Sequence, residues 1–191
     1  MSFRIRAVNG ELLYLSRRAT NLRAALFEAV AHERELPRAD LTAADLGGIR
    51  LRYGKLAQAA LAGAKLARAT LDHADFEGAY APAVDLQEAR LASSDWAFAD
   101  LTQANLSHAH LQSINLQGAQ LINADLFGAD LKYANLIDAD LTNANLVGVD
   151  FRHADLRGAN LSNANLDGAF FAETELEGAD LATARNKPVG W

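Results

Sequence analysis

Stepping five residues at a time from Leu36 to Leu181 meets 30 positions, and 25 of them are leucine; the exceptions are Phe76, Ala81, Trp96, Phe151 and Phe171. Two residues before these positions, from Ala39 to Ala179, alanine fills 22 of 29 places. The residue between is usually Asp or Asn, as in Ala124-Asp125-Leu126 and Ala144-Asn145-Leu146, and no insertion or deletion breaks the register. A strict period of five excludes the common elements. On an α-helix it would carry the apolar stripe ~140° around the axis at every step, and on a strand it would drift from face to face. Asn, Asp and Gly at this density also disfavour helix interiors. A coil that turns one corner per pentad, with Ala and Leu both inward, satisfies the pattern. Stacked coils then bond backbone to backbone at about 4.8 Å.

The A-[D/N]-L-x-x pattern resembles the pentapeptide-repeat family. The resemblance implies an all-β solenoid, a right-handed quadrilateral β-helix with four pentads per coil, running here from about Leu36 to Ala184. The spacing itself supports a coil of 20 residues, because Phe76 and Trp96 lie 20 apart, as do Phe151 and Phe171, so large residues fall on one another. Gly118, Gly128, Gly148, Gly158, Gly168 and Gly178 recur at multiples of ten, interrupted by Asp138, with Asn123, Tyr133, Asn143, His153, Asn163 and Glu173 between them. This alternation predicts type II turns at the glycine corners and freedom for the other pair to differ.

The flanks read differently. Residues 3–15 predict a β-hairpin turning at Asn9-Gly10, and residues 21–35 a helix with Thr20 as N-cap and Leu22, Leu26, Ala29 and Val30 on one face. Pro37 blocks further helix. The organisation is therefore an N-terminal cap (1–35), the solenoid (36–184) and a short tail (185–191), since an end coil cannot leave its Leu and Ala bare. Within the solenoid, Tyr80 to Val84 and Ser93 to Phe98 break the residue types but keep the register. Pro82 is expected to remove one ladder donor. Ala81 is expected to leave a void unless Val84 or another neighbour fills it. Tyr80 and Phe98 are outward and available for contact.

Little in the chain suggests chemistry. There is no cysteine. His73 and His153 are four coils apart, roughly 19 Å, which no metal ion bridges; His108 and His110 are outward. The Asp residues recur with the motif and form ladders rather than a paired site, and no phosphate-binding glycine loop occurs. No cofactor or metal and no enzymatic activity are expected. The first 20 residues lack the unbroken apolar run of a signal peptide and nothing is long enough to span a bilayer, so a cytoplasmic protein is expected.

Charge is uneven: residues 1–70 carry a net +6, residues 71–180 a net −14 and residues 181–191 a net +2. Two functions suit such a rod. One is a protein-interaction scaffold with an unidentified partner. The other is an acidic DNA mimic, since some members of the family that this chain resembles bind type II topoisomerases such as DNA gyrase and protect against gyrase poisons. Asp75, Asp95, Asp155 and Glu175 are placed in one column, with Asn115 and Asn135 in its gaps, and Asp100, Asp140 and Asp180 in the neighbouring corner column, as the candidate interaction face. Direct binding of nucleic acid is not expected from so acidic a body. At the other end the last coil should expose Leu166, Phe171, Leu176 and Leu181, with Phe170 pointing out. A homodimer through this C-terminal end is expected, with a plug formed by Pro188, Val189 and Trp191 as the competing arrangement.

Overall fold

A computed structural model describes residues 3–187. Twenty-seven parallel bridges, from Glu35–Lys55 to Asn165–Arg185, each join residues 20 apart. Four pentads therefore complete one coil, and the coils stack in register as a β-helix solenoid.

The hydrogen bonds of one pentad explain the motif. Asp125 N–H donates to Ala104 O in one neighbouring coil (2.9 Å), while Leu126 N–H and Gly128 N–H donate to Asn145 O and Val147 O in the other (both 2.9 Å). Ala129 N–H closes the corner on Leu126 O (2.9 Å). Phe127 N–H is the one donor left over, and the Asp125 carboxylate accepts it at 3.1 Å. The Asp or Asn of the motif thus serves the amide that the coil geometry cannot reach. The same contact recurs from Asp40 to Asp180.

Two of the departures from the motif, at Tyr80 and Arg90, obey this accounting. Tyr80 stands where Asp or Asn belongs, and the donor it would serve is that of Pro82, which has none. Pro82 therefore costs no ladder bond, contrary to the expectation from sequence, and its carbonyl still accepts from Gly63 N–H (2.9 Å). Arg90 also cannot accept; here Asp72, one coil earlier, accepts from Ala92 N–H at 3.2 Å. That bond explains why an aspartate is buried at 3% exposure, with Arg52 and Arg90 at 3.5 and 3.7 Å from its carboxylate.

The corners differ from the sequence reading. Residue φ is positive at every corner from Arg38 to Gly178, whether the residue is Gly, Asn123 (57°) or Tyr133 (61°). Glycine is therefore not reserved for one pair of corners by backbone conformation. Two of the glycines instead lie under a large corner residue of the preceding coil. A Cβ on Gly118 would stand 2.7 Å from the Phe98 ring, and one on Gly128 would stand 2.9 Å from His108.

Leucine and alanine fill the interior, and central residues from Leu36 to Leu166 are at most 2% exposed. Phe76 stacks on Trp96 with centroids 4.4 Å apart, and Phe151 on Phe171 at 5.2 Å. Ala81 and Val84 are both fully buried in the coil that follows Phe76. Ala81, the small residue at a leucine place, comes one pentad after Phe76, which with Trp96 is one of the two largest buried side chains.

The N-terminal end is covered by strands β1 (Phe3–Arg6) and β2 (Leu12–Ser16), paired antiparallel, and by helix α1 (Leu22–Ala31). The hairpin joins the first coil through Val8 N–H to Arg38 O (3.0 Å) and Asp40 N–H to Arg6 O (2.9 Å). The N-cap is Asn21, not Thr20: its side chain accepts from Ala24 N–H at 2.8 Å. The helix also stops earlier than residue 35. Glu33 takes φ 54°, and Glu33 and Arg34 N–H return to Val30 O and Ala29 O at 2.9 and 3.0 Å, a closed C-terminal cap. Ala25, Leu26 and Ala29 are the fully buried face, while Leu22 and Val30 are half-buried. Glu28 ties α1 to β2, accepting from Ser16 Oγ (2.6 Å) and Tyr14 OH (3.0 Å).

Gly54 occupies a place where the motif prefers alanine. A Cβ there would meet Leu56 Cδ1 at 2.8 Å and Leu51 O at 2.9 Å, with Val30 of α1 at 3.5 Å. Gly54→Ala, although it restores the motif, is expected to lower stability by about 1–3 kcal/mol through overpacking. Urea denaturation checks this; a stabilised variant would show that the site can relax.

Candidate functional site

With the interior filled, the outward side chains carry whatever the protein does, and the solenoid arranges them in columns one coil apart. Asp75, Asp95, Asp155 and Glu175 fall in one column, with Asn115 and Asn135 between. Asp100, Asp140 and Asp180 fall in another, which also holds Tyr80, Gln120 and Asn160. Both columns lie on the flat sides, at the bridging position, and not at corners.

These acids are not free side chains. Asp75, Asp95, Asp100, Asp140 and Asp180 each accept a backbone N–H two residues ahead, at 2.9–3.0 Å. Asn115 donates to Asp95 (3.0 Å) and Asn135 to Asn115 (3.1 Å), so the first column is a side-chain ladder. Asp155 is neutralised locally by Arg157, whose guanidinium lies 2.6 Å away. Glu175 is exposed and Asp180 accepts from Ser162 Oγ at 3.1 Å. The other carboxylates are hydrogen-bonded through neutral partners, which leaves their charge on the surface.

Lys132, outward by the repeat, is more engaged than its position suggests. It lies 3.1 Å from Asp130 and 3.8 Å from Asp150, so it holds two stacked carboxylates together. Arg152 joins the group at 2.7 Å from Asp150. Hydrogen bonding to Arg152 and Arg157 holds the Asp150 and Asp155 carboxyls below the usual carboxylate range. A carboxyl with a lowered folded pKa adds stability above its unfolded pKa, and that stability is lost as pH falls through the folded value. The melting temperature is therefore expected to fall on acidification from about pH 5 to pH 3. An Arg152→Gln/Arg157→Gln variant should lose less over the same window, and an equal loss would contradict the assignment.

The histidines form stacks that sequence reasoning missed. Tyr53 lies flat on His73 (4.9 Å, 5°) and Tyr133 on His153 (4.8 Å, 3°), in the same corner column four coils apart. The signal was a Tyr–His spacing of 20 residues. His153 also approaches Glu173 at 3.1 Å. His108 meets Phe127 edge-on at 5.1 Å, and His110 stands between Arg90 and Asp130 in its column. Among the described residues no three His, Cys, Asp or Glu side chains are grouped to hold a metal ion. No described helix is long and apolar enough to cross a membrane.

At the C-terminal end Leu166 is fully buried, contrary to the exposure expected from sequence, since the chain from Leu181 to Arg185 stacks on its coil and Leu166 N–H donates to Arg185 O (3.0 Å). Phe171, Leu176 and Leu181 are half-buried, and Phe170 is 56% exposed beside the Arg152 guanidinium. The plug expected from Pro188, Val189 and Trp191 lies outside the described residues. Tyr80 and Phe98 are both exposed.

A sequence profile described as Pentapeptide repeats matches the chain in eight copies, over residues 44–80 and, in overlapping stretches, 85–182. No curated protein is matched by sequence. Among solved structures, the HetL pentapeptide repeat protein of Nostoc sp. strain PCC 7120, involved in heterocyst differentiation regulation, is 28% identical over 87% of this chain and 97% of that one, with a TM-score of 0.48. The Rfr23 pentapeptide repeat protein of Cyanothece 51142 is 35% identical over 51% of this chain, which spans 61% of its length, with a TM-score of 0.45. QnrB1, a plasmid-mediated fluoroquinolone resistance protein, is 22% identical over 76% of this chain and 80% of its own, with a TM-score of 0.41.

Proposed function

Because the chain belongs to the pentapeptide-repeat family, we propose that it is a non-enzymatic interaction rod whose outer columns dock a protein partner. The observation that carries this reading is the filled interior. Central residues from Leu36 to Leu166 are at most 2% exposed, which leaves no interior space among them for a substrate. What remains is an ordered outer surface with acid, amide and aromatic groups repeated at one-coil spacing. Asp100, Asp140 and Asp180, with Tyr80 in the same column, are the residues assigned to contact. The test is titration calorimetry with the partner that the intact chain captures. Saturable binding that is lost in Asp100→Lys/Asp140→Lys is the expected result. Turnover of a small-molecule substrate by the purified protein, unaffected by those changes, would contradict it.

A second reading, the acidic DNA mimic, is favoured by the net −14 over residues 71–180 combined with the stacking of its carboxylates in register. Such a body can compete with a phosphate backbone for a basic channel. A gyrase supercoiling assay separates the readings. Inhibition relieved by Asp100→Lys/Asp140→Lys would support mimicry, and unchanged supercoiling at saturating protein would exclude it.

A further inference from the structure

The basic end of the molecule contains a groove that the acidic columns do not explain. It runs between α1 and the side of the solenoid that carries Arg50 and Arg52, as three adjoining hollows of about 470, 220 and 310 Å3. Phe27 and Arg50 line both the first and second hollows, and Val30, Ala31 and Arg52 line both the second and third, so the space is continuous. Phe27 is 55% exposed at its centre, a large apolar ring open to solvent.

Cations border this apolar floor along its length. Among the described residues that line these three hollows, Arg23, Arg34, Arg50, Arg52 and Lys55 stand against one carboxylate, that of Glu33, while Asp45, Glu35 and Asp75 border the spaces beyond the two ends. Lys55 is satisfied by Glu35 at 3.0 Å and Arg52 leans on buried Asp72 at 3.5 Å. Arg23 is turned toward the Gly47 carbonyl. Among the described residues Arg34 and Arg50 have no carboxylate within ion-pair distance. A guanidinium left unpaired beside an exposed aromatic ring is suited to a ligand that brings both an anion and an apolar group.

We propose that this groove binds an acidic segment of a partner protein that carries apolar side chains among its carboxylates. The groove follows the ten-residue helix α1, which is ~15 Å long, so it accommodates about four or five extended residues. A long polyanion fits less well. Beyond the groove it would run along a body of net −14, where repulsion opposes it. The groove lies apart from the Asp100–Asp180 column, so its failure would leave the interaction-rod reading untouched.

The test is fluorescence polarisation on the full chain with a labelled decapeptide of glutamates interrupted by two leucines and a phenylalanine. Saturable binding is expected, weakened at least about tenfold by Arg34→Glu/Arg50→Glu and by less than about twofold by Arg17→Glu/Arg18→Glu, the same charge change on the hairpin side. Phe27→Ser should weaken it as well, with an unchanged melting temperature showing that the fold is intact. Equal losses in the two double variants would overturn the site in favour of diffuse attraction. So would tighter binding of a single-stranded oligonucleotide or of anionic phospholipid vesicles, or concentration-dependent self-association abolished by Arg34→Glu/Arg50→Glu.

Discussion

Leu126→Asp is expected to leave the chain unfolded or to cost several kcal/mol. Leu126 is fully buried, and its pentad has no donor to spare for a second carboxylate, because Phe127 N–H is already taken by Asp125. The new side chain would be an ion in an alkane-like core, without a partner. The matched control is Gln103→Lys, at an exposed corner, which should change stability by less than about 0.5 kcal/mol. Lys132 is unsuited to that role, since it bridges Asp130 and Asp150 and its reversal would set three carboxylates together. Equal shifts in urea midpoint for Leu126→Asp and Gln103→Lys would show that the inward and outward columns are misassigned.

Trp96→Ala should have the next largest effect, a loss of about 3–5 kcal/mol. The indole is fully buried and stacked on Phe76, so truncation opens a cavity between coils that the regular leucines on either side cannot fill. Its Nε1–H has no hydrogen-bond partner among the described residues. Trp96→Phe keeps most of the ring while removing that unpaired donor, and should therefore recover most of the stability. Thermal unfolding of the two variants decides this. A larger loss for Phe than for Ala would mean that the indole N–H contributes favourably.

The coil length was legible in sequence because bulky residues cannot be scattered in a core this narrow. Phe76 and Trp96, or Phe151 and Phe171, had to stack, and stacking fixed the 20-residue turn. The acidic columns followed from the same arithmetic. What the sequence did not disclose was why Asp and Asn sit where they do. That required knowing which amide the ladder leaves unbonded, and it also makes sense of Tyr80 before Pro82 and of buried Asp72 beside Arg90. The glycine alternation misled for a related reason. Corner conformation is uniform, and Gly118 and Gly128 are matched to the side chains of the coil beside them, Phe98 and His108. The cationic groove was hidden because Arg23 and Arg34 belong to the cap region while Arg50 and Arg52 belong to the solenoid. Only the docking of α1 brings them together.

The central claim is that residues 20 apart are neighbours while residues 10 apart lie across the core, and this sequence permits a direct test because it contains no cysteine. Ser93 and Ser113 are exposed residues of the corner column that carries the Tyr–His stacks, whose rings lie 4.8 and 4.9 Å apart. Backbones of coils stacked as strands lie about 4.8 Å apart, and a Cα separation of that size suits a disulfide. Ser93→Cys/Ser113→Cys should close an intrachain bond on mild oxidation, without loss of thermal stability. Ser93→Cys/Gln103→Cys should remain reduced under the same conditions. Efficient closure of the second pair, or failure of the first, would contradict the four-pentad coil on which every surface assignment rests.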